Sequence, residues 1–190
     1  MAQNNLEIEI KVKIDRKPSL VSFLKKHAKY AGRSRQIDEY FVPRHRNFLS
    51  QQPVKEWLRL RREEGASTIN YKNFHYKNGK TTECDEFETE VKDIGLMRRI
   101  FKALDIKPVV KVDKARDSWL YGDYEISIDT VAGLGTFVEI EFMGKRTDSK
   151  KITDEMVSFL KSMKVGRIQR NYQGYPFLLL FPDKSKYFSE

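Results

Sequence analysis

Apolar and charged residues alternate along much of the chain, and this alternation predicts its secondary structure. The clearest segment runs from Leu6 to Asp15, where five aliphatic residues occupy one set of alternate positions and charged residues occupy the other. A period of two over this length is typical of a β-strand with one apolar and one charged face. Shorter alternations predict seven further strands, near residues 36–41, 56–62, 67–72, 84–91, 109–116, 123–129 and 135–142. The Asn78-Gly79 pair predicts a tight turn between two of them.

Three segments carry apolar residues at helical spacing, with proline, threonine or glycine near their ends. The predicted helices run from Pro18 to about Gly32, from Asp93 to Leu104, and from the capping residue Thr153 to about Gly166. We expect the tail, residues 167–190, to be irregular. The order of elements predicts one α+β domain over residues 1–190, with eight antiparallel strands and flanking helices.

Composition and charge restrict the classes of protein to which the chain can belong. Hydrophobic residues make up 39% and aromatic residues 12% of its 190 residues, which excludes a disordered chain. The net charge of +9 favours anionic partners such as nucleic acid, acidic lipid or phosphorylated small molecules. Cys84 is the sole cysteine, so an intrachain disulfide is excluded and a reducing compartment is expected. Because no apolar run is long enough to span a bilayer, we expect a cytoplasmic protein without a membrane partner.

The charged residues follow the strand faces in a regular way. Glu-x-Glu motifs occur in three predicted strands, at residues 7–9, 86–90 and 139–141, and a pair of cations occurs at Arg59 and Arg61. An antiparallel sheet with one solvated face is the ordinary explanation of this pattern, although glutamate is depleted from ordinary strands. The alternative is a barrel whose charged faces converge on a lumen. There, arginine and lysine would bind a triphosphate, and carboxylates would bind Mg²⁺ or Mn²⁺.

The first Glu-x-Glu motif also belongs to a longer signature. Glu7-Ile8-Glu9-Ile10-Lys11 resembles the ExExK motif of the CYTH superfamily, the triphosphate tunnel metalloenzymes. An ordered series of later motifs makes the resemblance more specific and extends it over residues 6–175. The series comprises Asp38-Glu39-Tyr40-Phe41, Trp57-Leu58-Arg59-Leu60-Arg61, Asn70-Tyr71-Lys72, Glu86-Phe87-Glu88-Thr89-Glu90, Asp113-Lys114-Ala115-Arg116, Asp129, Gly133-Leu134-Gly135 and Phe137-Val138-Glu139-Ile140-Glu141. The resemblance implies an eight-stranded antiparallel β-barrel, the triphosphate tunnel, with flanking helices.

The resemblance also implies roles for individual side chains. Lys11, Lys72 and Arg116 would act in catalysis. Contacts to substrate phosphate would come from seven cations: Lys11, Arg59, Arg61, Lys72, Lys114, Arg116 and Arg170. Mg²⁺ or Mn²⁺ would be held by acidic residues: Glu7, Glu9, Asp129, Glu139 and Glu141. Glu88 and Glu90 would support the site by orienting the cations or by helping to hold the metal.

Members of this family catalyse different reactions, so the resemblance does not decide which reaction is expected. Class IV adenylyl cyclases convert ATP to cyclic AMP and pyrophosphate, whereas thiamine triphosphatases and inorganic tripolyphosphatases hydrolyse a terminal phosphate. Residues 38–59 and 133–137 most resemble the cyclase branch, so ATP is the first expected substrate, with tripolyphosphate and thiamine triphosphate as alternatives. A nonenzymatic module that binds nucleic acid or polyphosphate is a further alternative, although no nucleic-acid-binding motif is found. The sequence leaves the choice between monomer and homodimer open.

Overall fold

Two compact units make up the chain, whose computed structural model describes residues 8–77 and 80–190. The first unit is formed by Met1–Ser34 with Lys114–Glu190, and the second by Arg35–Asp113. The strands of the described residues are β1 (Ile8–Ile14), β2 (Lys29–Pro43), β3 (Glu56–Glu63), β4 (Ala66–Lys77), β5 (Lys80–Glu90), β6 (Ile106–Tyr121), β7 (Tyr124–Val131), β8 (Gly135–Phe142), β9 (Ile168–Arg170) and β10 (Phe188–Ser189). The α-helices are α1 (Pro18–His27), α2 (Ile94–Ala103), α3 (Ser149–Ser162) and α4 (Gly174–Leu180).

In the first unit, helices pack on the apolar face of a sheet whose strand order is β10-β9-β1-β8-β7-β6-β2. The antiparallel register places Ile10 of β1 opposite Ile140 of β8, which lies opposite Ile126 of β7. The core around them includes Leu20 and Leu24 of α1 and Ile152, Met156 and Leu160 of α3. Because side chains alternate along a strand, the charged residues between these core positions project from the other face.

In the second unit, the strand order is β6-β2-β3-β4-β5, and α2 covers part of the sheet. Phe101 of α2 is buried with Phe41 of β2 and Leu60 of β3. The helix begins after Asp93, whose Oδ1 accepts a hydrogen bond from the backbone N–H of Leu96 at 2.8 Å. This is the capping arrangement that satisfies an otherwise unpaired N–H in the first turn.

The predicted α+β class with an antiparallel sheet and flanking helices is confirmed, and all eight predicted strands are present as β1–β8. Over residues 8–77 and 80–190 the sheet has ten strands rather than eight, because the tail contributes β9 and β10 as well as α4. The prediction of an irregular tail is therefore wrong. The predicted strand start at Leu6 and the predicted turn at Asn78-Gly79 lie outside the described residues.

Two helix boundaries also differ from the prediction. Helix α1 ends at His27 rather than near Gly32, because residues 29–32 belong to strand β2. Helix α3 begins at Ser149, and its cap is Asp148, whose Oδ1 accepts from the backbone N–H of Lys151 at 3.1 Å. The prediction of Thr153 as the cap is wrong because the first turn, Ser149 to Ile152, is mostly polar and adds little to the apolar pattern. In the described part of the chain, no helix has the length and hydropathy needed to cross a bilayer.

Candidate active site

The charged face of the first unit brings together side chains from four neighbouring strands. Lys11 of β1 lies opposite Glu139 of β8, and Arg116 of β6 lies opposite Asp129 of β7. Lys114 precedes Arg116 by two residues and therefore projects from the same face. We call these five residues, Lys11, Lys114, Arg116, Asp129 and Glu139, the first cluster.

Oppositely charged side chains form ion pairs within the first cluster. Arg116 donates to both oxygens of Asp129, from Nε to Oδ1 at 2.7 Å and from Nη2 to Oδ2 at 2.7 Å, and it also pairs with Glu139. Lys114 Nζ lies 3.1 Å from Asp129 Oδ2, and Lys11 Nζ lies 2.7 Å from Glu139 Oε1. Three cations from two strands thus converge on two carboxylates within this cluster.

Burial distinguishes this face from a solvated one. The side chains of Asp129 and Lys114 are 0% and 5% exposed. Buried charges are very costly unless opposite charges or a ligand compensate them. In the first unit, the solvated-face explanation of the strand pattern is therefore wrong for these positions.

The cations of the first cluster keep its carboxylates ionised. Burial alone would raise the pKa of Glu139, but the Lys11 ammonium and the Arg116 guanidinium outweigh burial and lower that pKa far below its usual value. Burial would likewise raise the pKa of Asp129, and the hydrogen bonds from Arg116 with the charge of Lys114 lower it instead. Carboxylates with such low pKa values are suited to holding cations in place rather than to accepting a proton near neutral pH.

The lowered pKa of Asp129 predicts a loss of stability in acid. Because the pKa of Asp129 is lower in the folded chain, its ionised carboxylate stabilises the fold above the unfolded pKa of about 4. This stabilisation is lost as the pH falls through the folded pKa. We expect the free energy of unfolding to decrease as the pH falls from about 5 towards 2, with a smaller slope in Asp129→Asn. Denaturant unfolding at a series of pH values measures this, and equal slopes in both proteins would contradict it.

Tyr175 of α4 completes the first cluster and was not predicted from the sequence. Its hydroxyl donates to Asp129 Oδ2 at 2.9 Å and lies 3.5 Å from Glu139 Oε1. The ammonium groups of Lys11 and Lys114 lie 5.0 Å and 5.3 Å from the centre of its ring. A tyrosine before an apolar run was the only signal in the sequence, and it did not indicate which residues the side chain would contact.

A second cluster of charged side chains lies within the second unit. It comprises Asp38, Arg59, Arg61, Lys72, Glu86 and Glu88. Asp38 accepts from Arg61 Nε at 2.7 Å and Nη2 at 2.8 Å, while Arg59 Nη2 donates to Glu88 Oε2 at 3.0 Å. Lys72 Nζ lies 2.8 Å from Glu86 Oε2. Glu88, Asp38 and Glu86 each contact a cation of this cluster, and the predicted role of Glu88 stays a prediction.

Two of the described site residues, Arg170 and Glu90, have other surroundings. In β9, Arg170 Nε lies 2.7 Å from Glu190 Oε1, and Arg170 Nη1 donates to the Tyr172 hydroxyl at 3.1 Å. No contact of the described residues joins Arg170 to the first cluster. Glu90 is exposed at the end of β5, opposite Thr68. Glu7 lies outside the described residues. Their predicted roles stay predictions.

The described residues do not form a complete cage for a metal ion. Among them, no three acidic, histidine or cysteine side chains come together as a metal-binding group, and cations already engage Asp129 and Glu139. Glu9 of β1, however, lies directly opposite Glu141 of β8. Because Mg²⁺ is usually held by one or two carboxylates together with water and substrate phosphates, this pair fits such an ion.

Comparison with known protein sequences gives two matches over most of the chain. The sequence pattern of the CYTH domain matches residues 5–172. A Methanocaldococcus jannaschii protein named "Putative adenylate cyclase MJ0240" is 37% identical over 173 residues, which cover 88% of this chain and 96% of that relative. The chain therefore matches nearly the full length of this relative.

Solved structures share the fold. The PH1819 protein of Pyrococcus horikoshii OT3 aligns with a TM-score of 0.68 and 23% identity, covering 93% of this chain and 99% of that chain. A Hippeastrum protein named "Putative adenylyl cyclase HpAC1", described as having a dominant triphosphatase activity, aligns with a TM-score of 0.65 and 16% identity, covering 95% and 98%. At these identities the likeness concerns the fold alone.

Proposed function

Because the chain belongs to the CYTH domain family, we propose that it is a metal-dependent enzyme acting on a triphosphate, with ATP cyclisation as its reaction. The observation that carries this proposal is the first cluster, in which three cations from β1 and β6 are held close together by two carboxylates. The name of the M. jannaschii relative supports ATP as the substrate.

The first cluster would bind phosphate oxygens without large rearrangement. In the described part of the chain, the hydrogen bonds of Arg116 use Nε and Nη2, so the N–H groups of Nη1 can meet a phosphate oxygen. Lys11 pairs with Glu139 through one contact and has further N–H bonds to donate. Since carboxylates already hold both cations in place, little ordering remains to be done when the substrate binds.

Charge neutralisation is the main catalytic contribution that we assign to these residues. In cyclisation, the ribose 3′-hydroxyl attacks the α-phosphate and pyrophosphate leaves, so negative charge grows on the leaving group. Buried cations that face this charge stabilise the transition state more than solvated ones would. The proposal assigns this role to Lys11, Lys114 and Arg116, while the phosphate contacts predicted from the sequence for Arg59, Arg61 and Lys72 stay predictions.

A bound Mg²⁺ or Mn²⁺ would supply further charge at the phosphates. We assign its protein ligands to Glu9 and Glu141, which face each other across β1 and β8. We expect Glu9→Gln or Glu141→Gln to raise the Mn²⁺ concentration needed for half-maximal activity by about tenfold or more, because a hard oxygen ligand loses its charge. Metal titrations of turnover measure this, with the exposed Glu64→Gln as the control. An unchanged metal requirement in both variants would contradict the assignment.

Triphosphate hydrolysis is a second candidate, supported by the description of the Hippeastrum protein. The two reactions are separated by supplying ATP, thiamine triphosphate and tripolyphosphate with Mg²⁺ or Mn²⁺ and identifying the products by ³¹P NMR and chromatography. Cyclic AMP with pyrophosphate from ATP supports cyclisation. Orthophosphate from tripolyphosphate, without cyclic AMP from ATP, rejects cyclisation in favour of hydrolysis. No turnover of any triphosphate rejects both reactions, and salt-sensitive retention on nucleic acid would then favour a binding module.

A further inference from the structure

Helix α4 brings one aromatic side chain against both the acidic and the basic members of the first cluster. Tyr175 is 6% exposed and is the second residue of that helix. Its ring contacts Phe137 edge to face, with 4.9 Å between the ring centres and 70° between the planes. Because Phe137 is fully buried on β8, this contact fixes the ring beside the charged residues.

The hydroxyl of Tyr175 bonds to the acidic side of the cluster. It donates to Asp129 Oδ2 at 2.9 Å, the oxygen that also accepts from Lys114 and Arg116. Burial, together with the charges of Glu139 and Asp129, raises the pKa of this hydroxyl well above its usual value, so it keeps its proton and remains a donor. Removing the hydroxyl would leave a buried carboxylate with one fewer donor.

The ring of Tyr175 contacts the basic side. The two lysine ammonium groups at 5.0 Å and 5.3 Å from the ring centre are within the range of a cation–π interaction. Lys11 and Lys114 come from different strands and carry like charges, so they repel each other. An aromatic ring that attracts both restricts where their flexible side chains can lie.

We propose that Tyr175 is a positioning residue that holds the ammonium groups of Lys11 and Lys114 in place for phosphate binding. The purpose of this arrangement, phosphate binding, rests on the proposed function. The restraint on the lysines does not, because it depends only on contacts within the protein. Tyr175 acts through the two lysines and is not itself assigned a contact with substrate. The hydroxyl and the ring make separate contributions, which Tyr175→Phe and Tyr175→Leu distinguish.

Amine labelling resolved by mass spectrometry tests the restraint without any substrate. In the folded wild type we expect slow labelling of Lys11 and Lys114. Tyr175→Phe should label both lysines several-fold faster, and Tyr175→Leu faster still, while the exposed Lys25 and Lys26 of α1 react at unchanged rates. Equal labelling of Lys11 and Lys114 in all three proteins would overturn the proposal. So would a uniform increase at every lysine, because it would indicate general loosening rather than a local restraint.

Kinetics and a matched variant complete the test. Tyr30→Phe also removes a hydroxyl that donates to a carboxylate, Asp117 Oδ1 at 3.0 Å, but at an exposed position outside the cluster. We expect Tyr175→Phe to raise KM for the triphosphate by about tenfold, because a displaced lysine weakens one charge-assisted contact to phosphate, and Tyr30→Phe to leave KM unchanged. If the wild type turns over no triphosphate, the proposed function fails while labelling still decides the restraint. Equal KM values in the two variants would overturn the positioning role.

Discussion

Replacing Arg116 by glutamine is expected to lower kcat/KM for the triphosphate by about a hundredfold or more, as when one preorganised donor to a developing charge is removed. Arg116 bonds to both carboxylates of the first cluster, Asp129 and Glu139. Glutamine retains hydrogen-bonding capacity but removes the positive charge and the planar fork that matches phosphate oxygens. Steady-state kinetics on the substrate identified by product analysis measures the effect.

Two further variants make this result specific to the site. Arg116→Lys keeps the charge but loses the two-point contact with Asp129, so its activity should fall between those of the wild type and Arg116→Gln. Arg167→Gln is the control, because Arg167 also pairs with an aspartate, Asp15, but is 75% exposed. Activity of Arg116→Gln equal to that of Arg167→Gln would show that Arg116 has no part in the reaction.

Asp129→Asn is expected to destabilise the fold by about 3–5 kcal/mol at neutral pH, the usual cost of breaking a buried ion pair. Asp129 accepts from Lys114, Arg116 and Tyr175, and it is fully buried. Asparagine has the same shape, but it carries no charge and places an NH₂ group where donors already converge. The three partners would then lack the carboxylate that offsets their burial.

Chemical denaturation at pH 7 measures this loss, with Asp117→Asn as the matched control. Asp117 also lies on a strand and accepts from a tyrosine hydroxyl, that of the exposed Tyr30. We expect its substitution to change the free energy of unfolding by less than about 1 kcal/mol, as for other exposed contacts. If the two variants lose similar stability, Asp129 does not organise the first cluster.

The sequence predicted the charged face of the first unit well because its strands alternate strictly. In β7, Ile126 and Ile128 are buried in the core, whereas Asp129, at the next position, meets Lys114 and Arg116 on the other face. A period of two leaves little freedom once one face must pack against helices. The same reasoning correctly predicted which face of β1 and β8 would be apolar.

The second unit shows where such reasoning becomes insufficient. Asp38 and Glu39 are adjacent in β2 and therefore project from opposite faces. Asp38 accepts from Arg61, whereas Glu39 accepts from Arg98 of α2 at 2.6 Å. Neither set of alternate positions in β2 is uniformly apolar, so the pattern could not show which carboxylate belongs to the cluster.

The tail could not be predicted for a different reason. Helix α4 has seven residues and β9 has three, too few for a periodic signal to appear. The position of Tyr175 depends on contacts with residues that lie 36 or more positions earlier, as its hydrogen bonds to Glu139 and Asp129 show. Only the folded chain brings these residues together, so the contacts of Tyr175 had to be read from the structure.

The central claim is that the first cluster binds the phosphate groups of a triphosphate, and calorimetric titration with tripolyphosphate tests it most directly. Tripolyphosphate carries the phosphates without a nucleoside, so the measurement does not depend on which reaction follows. We predict binding by the wild type and by Arg167→Gln, and at least about tenfold weaker binding by Lys11→Gln and Arg116→Gln, since each loses a charge-assisted contact. Equal affinity in all four proteins, or no binding by the wild type, would contradict the account.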